Sequence, residues 1–390
     1  MSESETLAMT RIVRELKSQG KDVINLSIGE PDFNTPEEVK NFAKQAIDEN
    51  WTHYPPVSGY PDLREAISKK FQRDNQLEYT PEQIVVSTGA KQSIYQAVMV
   101  LVNAGDEVII PAPFWVSYKE IVKVAEGKCV FIKTKLENDF KVTPQQLEEA
   151  ITEKTKLIMF SSPSNPTGML YSKEELKGIA EVVERHKQVF IMSDEIYEHI
   201  NFEGKHESLA QFPAIKDRVI TINGVAKGFA MTGWRIGFLA AATPIAKACD
   251  KLQGQVTSAT CSIAQKASVK AMEIDPQTSL DIINMRNKFR ERRDIMFKLL
   301  QEIPDMNVRL PQGAFYFFPE VSGYYGKKYD RYNIQNSNDL CMYLLYEANV
   351  ALVPGSAFGD DDCIRLSYAA SNEQLIEAMR RIKEALGKLK

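Results

Sequence analysis

Cysteine and histidine are scarce in this chain: five and four residues among 390. Cys129, Cys249, Cys261, Cys341 and Cys363 are scattered, odd in number and without CxxC spacing. That pattern excludes a disulfide framework and a zinc site, and it suits a reducing cytosol. Dispersed histidines argue equally against a histidine-based metal centre, so no metal is expected. Long apolar runs are also missing. No window approaches the ~20 residues of a membrane span. The start, Met1-Ser2-Glu3-Ser4-Glu5-Thr6, is acidic and polar, unlike a signal peptide. Nor does one sign of charge dominate. Lysine and arginine number 48 against 52 acidic residues, a net charge of −4 with the signs interspersed. Neither nucleic acid nor an anionic membrane is expected as a partner. The basic end, Arg380 to Lys390, carries apolar residues at helical spacing and reads as a solvated final helix.

What is present is a large apolar fraction, 44%, in a chain long enough for two domains. From residue 84 the pattern alternates. Strands are expected at 84–87, 107–110, 130–132, 157–161, 189–193, 219–222 and 237–241. Helices are expected at 92–102, 115–124, 147–151 and 173–186. Near-continuous apolar strands between helices predict an α/β fold, with a mostly parallel sheet covered on both faces. A long helical stretch, 263–303 with an interruption near Pro276, leads out of it. The last part mixes short strands (315–318, 350–353, 363–368) with two helices. Together with the N-terminal segment it reads as a smaller α+β domain. Near the start, Val23 to Ile28 is strand-like, and Thr35-Pro36-Glu37-Glu38 predicts a helix with Thr35 as N-cap.

Ligands of open parallel sheets bind at the carboxyl ends of the strands. Four such ends carry chemistry here. Ser87-Thr88-Gly89-Ala90-Lys91 offers small residues and a helix N-terminus to a phosphate. Asn165 stands in Ser162-Pro163-Ser164-Asn165-Pro166-Thr167-Gly168. Asp194 follows the next strand, where a carboxylate is costly unless it meets a cation. Lys227 sits in a loop of small and apolar residues, surroundings that disfavour the ammonium and lower its pKa. Arg235 follows eight positions later. Each has an ordinary explanation, as turn, N-cap or surface charge, but their order in one sheet is hard to explain that way.

The chain resembles the pyridoxal-phosphate-dependent aminotransferases of fold type I, and within them looks most like the bacterial aspartate aminotransferases. The resemblance runs nearly end to end. It rests on Ser27-Ile28-Gly29-Glu30-Pro31-Asp32-Phe33, Tyr54 with Gly59-Tyr60-Pro61-Asp62-Leu63-Arg64, Ser87 to Gln92, Pro113-Phe114-Trp115-Val116-Ser117-Tyr118, Asn165-Pro166-Thr167-Gly168, Ser193-Asp194-Glu195-Ile196-Tyr197, Lys227 with Met231 to Gly237, and Arg365-Leu366-Ser367. It implies a seven-stranded large domain over residues 45–285. Residues 1–44 and 286–390 would form a small domain with a substrate-closing N-terminal segment.

The resemblance also implies roles. Lys227 would hold pyridoxal 5'-phosphate as a Schiff base and shuttle the substrate proton. Asp194 would pair with the ring nitrogen. Tyr197 and Asn165 would hydrogen-bond the phenolic oxygen, and Trp115 would stack on the ring. Arg235 and the Gly89-Ala90 turn would bind the phosphate, with Tyr54 reaching the site of a neighbouring subunit in a homodimer. Arg365, helped by the Gly29 backbone, would clamp the substrate α-carboxylate. In 363–368, Ile364, Leu366 and Tyr368 share one face, which leaves Arg365 on the other. Many relatives have serine where this chain has Gly224, which puts cofactor affinity in doubt, although a backbone N–H could substitute.

Lys91 matches a lysine that binds a distal carboxylate, and Thr6 a threonine that closes over it. The implied reaction is ping-pong transfer of the amino group from L-aspartate to 2-oxoglutarate in the cytoplasm. An aromatic, prephenate or alanine aminotransferase and a C–S lyase are the alternatives on the same fold. A DNA-binding regulator is disfavoured by the short stretch before Ser27 and the acidic charge. A nicotinamide dehydrogenase is disfavoured by the lack of a glycine fingerprint.

Overall fold

The computed structural model describes residues 5–390, with side chains from Ala8 onward, so the Thr6 side chain lies outside the described residues. The chain opens with α1 (Glu5–Ser18), β1 (Ile24–Asn25), α2 (Glu37–Asp48) and α3 (Pro61–Lys70). Strand and helix then alternate through β2 (Ile84–Ser87), α4 (Ala90–Leu101), β3 (Glu107–Ala112), α5 (Ser117–Val124), β4 (Lys128–Lys133), α6 (Pro144–Ala150), β5 (Thr155–Ser161), α7 (Lys173–Arg185), β6 (Phe190–Asp194), β7 (Val219–Gly224) and β8 (Gly237–Ala240). These strands form one seven-stranded sheet in the order β2-β8-β7-β6-β5-β3-β4. All neighbours are parallel except β8, which runs antiparallel to β2 and β7. The expected architecture is therefore present.

Alternation explains the two covered faces. Ile84, Val86, Ile109, Ile158 and Ile191 enter one core. Val85, Val108, Ile110, Met159 and Met192 enter the other. Strands apolar at every position need helices on both sides. Two more helices, α8 (Thr243–Val256) and α9 (Ser262–Glu273), precede the long α10 (Leu280–Gln301). Helix α8 was not expected. Its buried set is Ile245, Ala246, Cys249 and the polar Gln253, which is too sparse a stripe to read. Gln253 is buried because its amide donates to Val86 O (2.8 Å) and accepts from Gln96 Nε2 (2.7 Å).

The remaining chain comprises β9 (Tyr316–Phe317), β10 (Lys328–Tyr329), β11 (Tyr332–Asn333), α11 (Ser337–Glu347), β12 (Val350–Ala351), β13 (Val353–Pro354), β14 (Ile364–Ser367) and α12 (Asn372–Leu386). Here β14 is the middle strand of an antiparallel three-stranded sheet, β13-β14-β9. The expected strand 350–353 breaks at Leu352, and its halves serve two sheets. β12 pairs in parallel with β1, which ties the N-terminal segment to this part. The strand-like run Val23–Ile28 shrinks to β1. The Asn25 side chain accepts from Ser27 N (3.0 Å) and Ser27 Oγ (2.7 Å), an Asx turn that peels the chain away. Thr35 is not an N-cap. Pro36 holds that position, while the Thr35 hydroxyl donates to Ala230 O (2.9 Å) and accepts from Trp234 Nε1 (3.0 Å).

A buried polar cluster secures the end of β7. Lys70, 1% exposed, pairs with Glu198 and donates to Asn75 Oδ1 at 2.8 Å. Asn75 and Asn223 each donate to Glu198, at 2.9 and 2.8 Å. Burial alone would raise the Glu198 pKa, but Lys70, with His199 and His206, holds it far below 4.5. Its stabilising contribution is thus complete above that value and lost as pH falls. Lys70→Met is expected to cost about 3–5 kcal/mol in urea unfolding, because it strands a buried carboxylate. The stability gap between the native chain and Glu198→Gln is expected to close below about pH 4.5. A gap that is independent of pH would contradict this reading of the cluster.

Candidate active site

The carboxyl ends of β2, β5, β6 and β7 open on a cavity of about 420 Å³, which β14 closes from the other side. Its lining includes Asp194, Lys227, Asn165, Tyr197, Trp115 and Arg365, and also Gly29, Ala90, Lys91 and Arg235. Ten of the residues expected from sequence thus converge. Gly89 lies directly behind, under Arg235. Tyr54 does not join them: it is 96% exposed and points to no group of its own chain's site.

One end of the cavity is built to admit an anion. Gly89 has φ +79, a conformation glycine adopts freely, and it caps the start of α4. A Cβ there would stand 2.2 Å from Arg235 Nη2, and one on Gly237 2.1 Å from Ala90 N. Glycine at both positions keeps the guanidinium and the helix N-terminus close together. Arg235 itself is held in the left-handed region, φ 57, and donates to Thr232 O at 3.1 Å. Gly224 is explained by packing, since a Cβ would lie 2.8 Å from Gly237 Cα and 2.9 Å from Ile236 O. Its own N–H donates to Asn223 Oδ1 (2.7 Å).

The middle holds the titratable groups. Asp194, 6% exposed, accepts from Tyr118 Oη at 2.8 Å and Ile196 N at 3.3 Å. Burial raises its pKa to about 6 despite those bonds. Burial lowers that of Lys227 to about 8. The neighbouring carboxylate absent from its local sequence is supplied by Glu30, and the amine donates to Gly29 O. Tyr197 shares a 2.8 Å hydrogen bond with Tyr316, and burial pushes its phenol well above 10.

The far end holds Arg365, 2% exposed on β14. It donates to Asn165 Oδ1 (3.0 Å) and Ser27 O (2.7 Å), and it lies 4.5 Å from the Tyr316 ring centroid. Its Nε is buried without a partner, and no carboxylate among the described residues pairs with it. Lys91 stands on the first turn of α4 with its amine 5.0 Å from the Trp115 ring. Burial and the like charge of Arg235 lower its pKa.

Sequence reasoning assigned no role to Tyr118, Tyr316, Glu30 or Ser27. Tyr118 had a signal, since it lies three residues after Trp115 at helical spacing. Tyr316 had none within the apolar run 315–318.

The arrangement offers an amine, a buried carboxylate, an anion cradle and an unneutralised arginine. A group carrying a phosphate, an aldehyde and a ring nitrogen fits these residues, and pyridoxal 5'-phosphate has all three. The family model for aminotransferase class I and II matches residues 21–382. The chain is 48% identical over 389 residues to a bifunctional aspartate aminotransferase and glutamate/aspartate-prephenate aminotransferase of Petunia hybrida, covering 99% of this chain and 81% of that one. It is 47% identical over 390 residues to a probable aspartate/prephenate aminotransferase of Rickettsia bellii, covering 99% and 97%. The crystal structure of the aspartate aminotransferase from Rhizobium meliloti superposes with a TM-score of 0.96 at 42% identity, covering 100% of this chain and 98% of that one. The Thermus thermophilus aspartate aminotransferase with maleate gives 0.93 at 38% identity, covering 99% and 97%.

The lowered lysine pKa has a measurable consequence. A group whose folded pKa is depressed from 10.5 to about 8 opposes folding below that range and ceases to do so above it. Lys227→Met is therefore expected to be more stable than the native chain at neutral pH. The difference should vanish as pH rises from about 8 to 10.5, followed by thermal melts across that range. A constant difference would contradict the burial assigned to this amine.

Proposed function

The chain belongs to the class I and II aminotransferases, and on that premise we propose that it transfers the amino group of L-aspartate to 2-oxoglutarate, releasing oxaloacetate and L-glutamate. Arg365 carries this reading: its guanidinium is buried, its Nε is unpartnered, and no carboxylate among the described residues pairs with it. A buried cation requires an anion, and an amino-acid α-carboxylate matches its fork.

Pyridoxal 5'-phosphate would be held by Lys227, Asp194, Tyr197, Asn165, Trp115 and Arg235, with the Gly89-Ala90 turn at its phosphate. When bound, that group supplies an electron sink for the charge left at the substrate Cα. The chain's own residues do the rest. Asp194, by its negative charge, would hold a proton on the ring nitrogen of that group. Lys227 Nζ accepts the Cα proton, a task suited to an amine with pKa near 8. Gly29 and Arg365 fix the α-carboxylate, and Lys91 meets the distal one. Thr6 is proposed to close over the latter.

We further propose a homodimer in which Tyr54 serves the neighbouring site, a role suited to a tyrosine 96% exposed on its own chain. The cytoplasm is the proposed location. The scattered cysteines support it, and no helix among the described residues is long and apolar enough to cross a membrane. The smaller domain is proposed to move against residues 45–285. Packing of Val39 and Ala43 on the large-sheet core supports a first hinge nearer residue 36 than residue 44.

The test is a half-reaction panel on the pyridoxal-phosphate-loaded chain. Aspartate and glutamate are expected to bleach the visible band, with prephenate and aromatic acids as comparisons. Lys227→Ala is expected to lack covalently held cofactor. Lys91→Ala is expected to lower kcat/KM for aspartate at least ~10-fold while sparing aromatic substrates. If aspartate turnover survives Lys91→Ala unchanged and aromatic turnover exceeds it, the aspartate assignment fails.

A further inference from the structure

Tyr118 lies on the first turn of α5, fully buried, and does not line the cavity. Its hydroxyl donates to Asp194 Oδ2 at 2.8 Å. The ring is fixed from the side by Trp115, edge to face at 5.5 Å between centroids. We propose that Tyr118 is a positioning residue for Asp194, whose phenol holds one carboxylate oxygen so that the group stays ionised and aimed into the cavity. The inference rests on the proposed function for what Asp194 then does, but not for the contact itself.

A carboxylate accepts up to about four hydrogen bonds. Asp194 receives two, one from Tyr118 and one from the backbone of Ile196. Its remaining capacity is left for a ligand. The charged groups around it are few. Glu195 follows it on the chain and opposes ionisation, and Lys227 from the loop after β7 favours it. Tyr197 is neutral, its phenol raised well above 10. Burial is the largest influence and works against the ion. The Tyr118 hydroxyl is the foremost influence acting the other way. Its own burial keeps it protonated and hence a permanent donor. Without it, Asp194 would titrate above about 6, toward neutral pH, and would be less fully ionised there.

The experiment uses the full-length chain labelled with carboxyl-13C aspartate, the Asp194 resonance being identified by its loss in Asp194→Asn. In Tyr118→Phe the Asp194 titration is expected to move up by about 1 pH unit. Affinity for pyridoxal 5'-phosphate is expected to fall about 10-fold, with the acid limb of kcat moving in the same direction. Should Tyr118→Phe fold poorly, 3-fluorotyrosine at 118 keeps the shape and sharpens the donor. It is expected to move the Asp194 titration down. An unchanged Asp194 titration in either variant overturns the proposal, whatever happens to activity. Failure of the functional reading is seen separately, as a native chain that takes up no pyridoxal phosphate, and it leaves the titration to decide the role of Tyr118.

Discussion

An enclosed guanidinium, with no carboxylate among the described residues against it, is the constraint on which the site depends. Removing a charge from water costs several kcal/mol unless hydrogen bonds and a counter-charge offset it. Arg365 has two neutral oxygens, Asn165 Oδ1 and Ser27 O, and the faces of Tyr316 and Phe358. These orient the charge without neutralising it. Arg365 therefore brings three parts of the chain to one point: the loop after β5, the strap after β1 and the middle strand of the small sheet. An anion arriving there completes the set.

The strap from Ser27 to Thr35 carries this constraint to the lysine. Ser27 O accepts from Arg365, Gly29 O accepts from Lys227, and Glu30 accepts from Thr232. Asp32 receives a two-pronged bond from Arg292 of α10, both contacts at 2.7 Å. Phe33 meets Phe289 edge-on, and Thr35 joins Ala230 and Trp234. The groups proposed to hold the carboxylate and to move the proton thus share one short segment.

The large sheet was legible because most of its strands carry a near-continuous apolar run and four of the strand ends carry a distinct residue type. The placement of Asn165, Asp194 and Lys227 at successive strand ends was hard to explain otherwise, and the family resemblance supplied their roles. What escaped was set by tertiary geometry. Helix α8 buries a glutamine and three small or medium apolar groups, so its periodicity is faint. Thr35 looked like an N-cap because its partners, Ala230 and Trp234, lie far along the chain. Tyr316 and Glu30 enter the site only through folding of the small sheet and the strap. Arg365 was read on the face of its strand opposite Ile364 and Leu366, but its lack of a carboxylate partner among the described residues emerges only in three dimensions.

On the proposed function, amine, carboxylate and arginine act on one substrate whose nitrogen is passed on rather than released. The direct measurement follows L-[15N]aspartate and 2-oxoglutarate with the pyridoxal-phosphate-loaded chain by NMR. 15N is expected in glutamate, in step with oxaloacetate. Recovery of the label as ammonium, whether or not 2-oxoglutarate is present, would contradict it.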